Sequence, residues 1–112
     1  MKRTPTRSNP LRRVVTEQGS DYAVDLYVYR QRLRWRVTRC PDLFNRADDE
    51  VGHGYVDDKG APVETRHGRP VKRMFNDQHP DLAASVRRIV RRAWRAGVGR
   101  VERRAVVARG AS

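Results

Sequence analysis

Between Tyr22 and Thr38 the hydrophobic positions recur every second residue. Tyr22, Val24, Leu26 and Val28 alternate with Ala23, Asp25, Tyr27 and Tyr29. After Arg30-Gln31, Leu33, Trp35 and Val37 alternate with Arg32, Arg34, Arg36 and Thr38. Two such runs, rich in aromatic and β-branched residues, predict a pair of half-buried antiparallel strands. With Arg30-Gln31 at the tip, Val28 faces Leu33, Leu26 faces Trp35 and Val24 faces Val37 on one side. On the other side Tyr29 faces Arg32, Tyr27 faces Arg34 and Asp25 faces Arg36. The first set is wholly apolar. The second offers two cation–π pairs and one salt bridge, so one register satisfies both faces. Arg-Gln is a poor two-residue turn, and a four-residue loop including Tyr29 and Arg32 keeps the same register.

Towards the C-terminus the period changes. Leu82, Val86, Ile89, Val90 and Ala93 recur at three- and four-residue spacing, which predicts one amphipathic helix. Pro80 suits its first turn, Asp77 and Asp81 favour the positive end of its dipole, and Gly97 is a natural stop. The remaining segments are shorter. Val14-Val15-Thr16 is a strand candidate followed by turn chemistry at residues 18–21. Residues 41–50 fit a short helix after Pro41, with Leu43, Phe44 and Ala47 on one side. Tyr55-Val56 and Val63-Glu64-Thr65 fit a second hairpin closed by Asp57-Asp58-Lys59-Gly60, with Pro62 suited to an edge. Val71 and Met74-Phe75 are further apolar anchors.

The expected fold class is therefore α+β: an antiparallel β-meander of three to five strands with one amphipathic helix on its apolar face. Residues 1–11 read as a disordered basic arm and residues 12–97 as a single domain. Residues 98–112 read as a basic segment, either a last strand around Ala105-Val106-Val107 or a tail.

Charge adds what periodicity cannot. The chain of 112 residues carries a formal net charge of +12. Residues 1–13 hold five bases and no acid, residues 14–86 hold 11 bases and 12 acids, and residues 87–112 hold nine bases and one acid. The middle is balanced and the two ends hold the whole excess, a distribution suited to a polyanionic partner. Cys40 is the single cysteine, which excludes an intramolecular disulfide and fits a reducing, cytoplasmic compartment. No stretch approaches the roughly 20 apolar residues of a membrane span, and the basic start lacks the apolar run of a secretory signal.

Three groups of residues have chemistry to consider. On the predicted helix, Arg87, Arg91 and Arg95 form one row and Arg88 and Arg92 another, with no acid three or four residues from any of them. Like charges so spaced repel by roughly 0.2–0.5 kcal/mol per pair, so the row asks for an external anion. Trp94 borders the apolar stripe and is more often core than a stacking platform. On the predicted sheet, Tyr27, Tyr29, Arg32, Arg34 and Arg36 share a face able to stack bases and hold a backbone. The competing expectation is that the acidic stretch Asp42, Asp48, Asp49, Glu50, Asp57 and Asp58 folds over this face and neutralises it. If the helix covers the Leu26/Trp35 side, these two arginine surfaces point in opposite directions.

The third group is Asp42 with Asp57-Asp58-Lys59, which imitates the carboxylate-carboxylate-lysine pattern of metal-dependent nucleases. It is short, and a turn already accounts for Asp57–Gly60. His53, His67, His79 and Cys40 lack zinc-ligand spacing, although His53 and His67 could face each other across the second hairpin. No cofactor and no catalysis are expected. The expected role is binding to duplex DNA or RNA, mainly through phosphates. A rigid helix face suits a groove and tips the balance slightly towards DNA. Lys2, Arg3, Arg7, Arg12 and Arg13 would form a flexible arm. The alternative is a small regulatory or inhibitory protein that docks on an acidic protein surface.

Overall fold

A computed structural model describes residues 4–40 and 49–99 of the chain. The strands are β1 (Leu11–Glu17), β2 (Ser20–Tyr29), β3 (Arg32–Arg39), β4 (Asp49–Val56), β5 (Pro62–Arg66) and β6 (Arg69–Pro70). A single turn, Met74–Asp77, leads into the helix α1 (Pro80–Arg95). The six strands pair in chain order as an antiparallel meander, and α1 packs on one face of it. The class is the expected α+β, with one strand more than the upper bound read from the pattern.

The β2–β3 register is the one that alternation demands, from Tyr29 opposite Arg32 through Leu26 opposite Trp35 to Asp25 opposite Arg36. Its turn is the shorter of the two alternatives. Arg30 and Gln31 both take positive φ, at 53° and 62°. The same two-residue turn recurs at Gln18-Gly19 and at His67-Gly68. Its hand matches the right-handed twist of the strands it joins. Two of the three turns use glycine at the second position, whereas Arg30-Gln31 bears a cost of about 1 kcal/mol per residue in the left-handed region.

Leu26, Trp35, Val24 and Val37 from the sheet and Leu82, Val86, Val90 and Trp94 from α1 are buried in one core. This places α1 over the apolar face. The helix stops as Gly97 suggested. Gly97 has φ of 91°, its N–H donates to the Trp94 carbonyl, and the Val98 N–H donates to the Ala93 carbonyl. These bonds make a Schellman stop. Trp94 belongs to the core at 6% exposure.

Strand β4 buries Val56 in the core but presents bare backbone at Gly52 and Gly54. A Cβ on Gly52 would stand 2.8 Å from the Phe75 ring, and one on Gly54 would stand 1.8 Å from the Val63 carbonyl oxygen. The space at Gly52 is taken by Phe75, whose ring meets Trp35 edge-on at 6.0 Å. Phe75 reaches it from a backbone in which Phe75, Asn76 and Asp77 all have φ between 54° and 59°. Glu64 holds that strained turn. It is buried, one carboxylate oxygen accepts the Phe75 N–H at 2.7 Å, and the other accepts from Arg66 at 3.3 Å.

Several boundaries differ from the pattern. Asp49 and Glu50, expected at the end of a short helix, open β4, and residues 41–48 lie outside the described residues. The expected arm is tied down well before its end: Pro5 is buried, its carbonyl accepts the Val28 N–H at 2.9 Å, and Leu11 already belongs to β1. Residues 1–3 and 100–112, including Ala105-Val106-Val107, are outside the described residues. Pro62 opens β5 at a point where β6 does not reach it, so the missing N–H breaks no ladder. No helix among the described residues is long and apolar enough to cross a membrane.

Replacing Arg30-Gln31 by Asn-Gly supplies residues that tolerate positive φ. Urea unfolding of this variant is expected to show stability raised by about 1 kcal/mol with an unchanged denaturant slope.

Candidate nucleic-acid interface

Arg87, Arg88, Arg91, Arg92 and Arg95 are all exposed on α1, while Leu82, Val86, Val90, Ala93 and Trp94 of the same helix are buried. The amphipathic spacing thus turns the guanidinium rows to the solvent side of the helix, with Arg88 and Arg92 flanking β1. Among the described residues none of the five forms an ion pair. Arg88 has one polar contact that spacing along the helix could not show. It donates to the Ser85 hydroxyl at 3.3 Å, and Ser85 donates to Glu17 of β1 at 2.9 Å. A carboxylate of β1 is thus joined to Arg88 only through the Ser85 hydroxyl.

The outer face of the sheet is organised around Asp25, which is 1% exposed. Arg12 holds it with two bonds, Nε to Oδ1 at 2.7 Å and Nη2 to Oδ2 at 3.0 Å, and Arg36 adds one at 3.2 Å. Burial alone pushes the Asp25 carboxyl upward. The hydrogen bonds from Arg12 and then Arg36, with their charges, more than offset this and hold it below the usual carboxylate range. The same pairing holds the Arg12 guanidinium above its ordinary value. Arg36 is the partner that alternation predicted. Arg12 is not: it was expected in a flexible arm with Arg13, and both lie in β1, where Arg12 stands opposite Asp25. A buried carboxylate requires more than one donor, and the neighbouring edge strand supplies the second.

Arg32 and Arg34 form no ion pair among the described residues. Arg32 lies over the Tyr55 ring at 4.2 Å, and Arg34 lies over Tyr29 at 5.7 Å. Both contacts run diagonally rather than straight across, since Tyr29 is opposite Arg32 and Tyr55 is opposite Arg34. Long side chains on a twisted sheet reach diagonal neighbours readily. Tyr29, 38% exposed, also receives Arg7 at 5.2 Å and Arg30 at 5.4 Å. Tyr27 is half-buried on the same face. Arg7, Arg30 and Tyr55 were not read as members of this surface. The turn at Arg30-Gln31 and the fold-back of Pro5 bring the first two in, and β4 brings the third.

Two members of the acidic stretch expected to cover this face, Glu50 and Asp57, make their bonds elsewhere. Glu50 bonds to His53 Nδ1 at 2.8 Å, and Asp57 closes its own loop by accepting the Lys59 and Ala61 N–H groups at 2.9 Å each. The Asp57 contacts are those of the turn. Asp42 is outside the described residues, as is Asp48. His53 and His67 do not face each other across the ladder, because His67 sits in the β5–β6 turn. Among the described residues no group of three or more His, Cys, Asp or Glu side chains is arranged to hold a metal ion. Cys40 is half-buried at the end of β3, where its N–H donates to the Asp21 carbonyl.

No protein-family model matches the chain, and no curated protein or solved structure matches it significantly. The two arginine surfaces lie on opposite sides of the domain, separated by the core.

Asp25 has a folded-state pKa below its unfolded one, so its contribution to stability is complete above the unfolded value near pH 4 and is lost as pH falls through the folded value. Asp25→Asn is expected to lower stability at pH 7 by about 2 kcal/mol, since the pair is open to water on the Arg12 side. It is also expected to flatten the fall in stability below pH 4, as measured by thermal unfolding across a pH series.

Proposed function

We propose that this protein binds nucleic acid without catalysis, through phosphate contacts made by the exposed arginines of α1. The observation that carries the reading is a helix with five guanidinium groups turned to solvent and no ion pair to any of them among the described residues. Charges stacked at this spacing repel one another, and a polyanion that meets them all relieves that repulsion and releases its condensed counterions. Sixteen residues make a rod of about 24 Å, long enough to lie along several phosphates or within a major groove. The core-facing stripe fixes the rows rigidly, so little side-chain orientation has to be paid for on binding beyond the arginines themselves. Duplex DNA suits this rigid face somewhat better than RNA, whose major groove is deep and narrow.

Titration of a fluorescently labelled 20-bp duplex at several salt concentrations tests the reading. Five phosphates neutralised predict a slope of log affinity against log salt of about −4 to −5. Arg88→Glu/Arg92→Glu should reduce the magnitude of that slope by about two units and weaken binding at least tenfold at low salt. A wild-type protein that binds duplex weakly and with a flat salt response overturns the proposal and points to an acidic protein surface as the partner.

A further inference from the structure

We infer that the outer face of the sheet is a second, separate binding surface, and that it takes single-stranded nucleic acid with unpaired bases. The observation is the arrangement around Tyr29 and Tyr55. Arg7, Arg30 and Arg34 crowd one exposed ring at 5.2–5.7 Å, and Arg32 covers the neighbouring ring at 4.2 Å. None of these four cations has a carboxylate partner among the described residues. Arg36 and Arg12, which lie on the same face, are committed to Asp25 and are not part of the surface.

The chemistry of the guanidinium decides what this patch fits. A guanidinium carries five N–H donors, and Arg34 spends one of its own on the Tyr29 carbonyl at 3.2 Å, so a cation resting on a ring still has N–H groups to offer phosphate oxygens. Tyr29, 38% exposed among these cations, offers ring surface to a base. Phosphate donors interleaved with aromatic faces on a sheet form the combination that tracks a single strand without reading its sequence. A duplex hides its base faces, so it would use the charges here but not the rings. The two surfaces are thus matched to different states of the same polymer. Because the core stands between them, one molecule can hold a duplex on α1 and a single strand on the sheet at once.

This inference takes its class of partner from the proposed function, but it is tested on different residues. A labelled 12-nucleotide poly-dT strand and the 20-bp duplex are titrated separately against the wild type, Arg32→Glu/Arg34→Glu, Tyr29→Leu and Arg88→Glu/Arg92→Glu, with circular dichroism confirming that each variant is folded. Arg32→Glu/Arg34→Glu should weaken single-strand binding at least tenfold and change duplex binding less than threefold. The helix variant should do the reverse. Tyr29→Leu should weaken single-strand binding about fivefold or more with the salt slope unchanged, the signature of lost stacking rather than lost charge. Energy transfer between a donor-labelled duplex and an acceptor-labelled strand should appear with the wild type and vanish with either double variant.

Single-strand binding that survives Arg32→Glu/Arg34→Glu overturns the inference, as does full competition between strand and duplex for one site. Binding to this face by poly-glutamate that equals binding by poly-dT and ignores Tyr29→Leu also overturns it, in favour of an acidic peptide. Duplex binding unaffected by the helix variant would sink the helix assignment alone and leave the sheet surface standing.

Discussion

Among the described residues one helix covers this sheet, on the face that carries Leu26, Trp35 and Val37. A two-layer domain has one dry interior, so every charge must find a place on the far side of the helix, on the open side of the sheet, or in a paired buried site. The chain uses all three. Five arginines go to the back of α1, the Tyr29 and Tyr55 group goes to the open sheet face, and Asp25 and Glu64 are buried with two and one arginine partners respectively. Two carboxylates, Asp25 and Glu64, are enclosed and matched, while many of the described cations are left outside.

The parts legible in the sequence were those governed by a period. Alternation fixed every pair of the β2–β3 ladder, and the helical stripe from Leu82 to Ala93 located α1 and the direction of its arginines. Gly97 and Pro80 marked its ends because their backbone preferences are local. What was hidden depends on neighbours distant in the chain. Arg12 looked like arm residue because its reason for order is Asp25, 13 residues away on the adjacent strand. The Ser85–Glu17 bond joins residues 68 apart, and no charge pattern along the helix can reveal it. The arrangement at Arg7, Arg30 and Tyr55 was hidden for a third reason. It follows from a turn built without glycine, a fold-back at Pro5 and a diagonal contact set by sheet twist.

The turn at Met74–Asp77 illustrates how one buried carboxylate settles geometry at a distance. Three consecutive residues in the left-handed region are unfavourable for an L-amino-acid chain, and nothing in Met-Phe-Asn-Asp announces them. They persist because Glu64 takes the Phe75 N–H and the bare backbone of Gly52 leaves a slot for the Phe75 ring. That ring and the adjoining His79, whose ring meets it at 6.1 Å, set the point from which α1 departs. The turn thus joins the sheet to the first residues of the helix, whose buried stripe then fixes the direction of the arginine rows.

The thickness of a helix laid on a sheet has an electrostatic consequence. The outermost groups on the two sides stand roughly 20 Å apart, given about 10 Å between layers and another 5 Å of side chain on each. At physiological ionic strength, ions screen exposed charges beyond about 8 Å. Under the proposed function, a ligand on one side would reach the other mainly as a screened field, so the thickness of the domain would let the two sides load nearly independently.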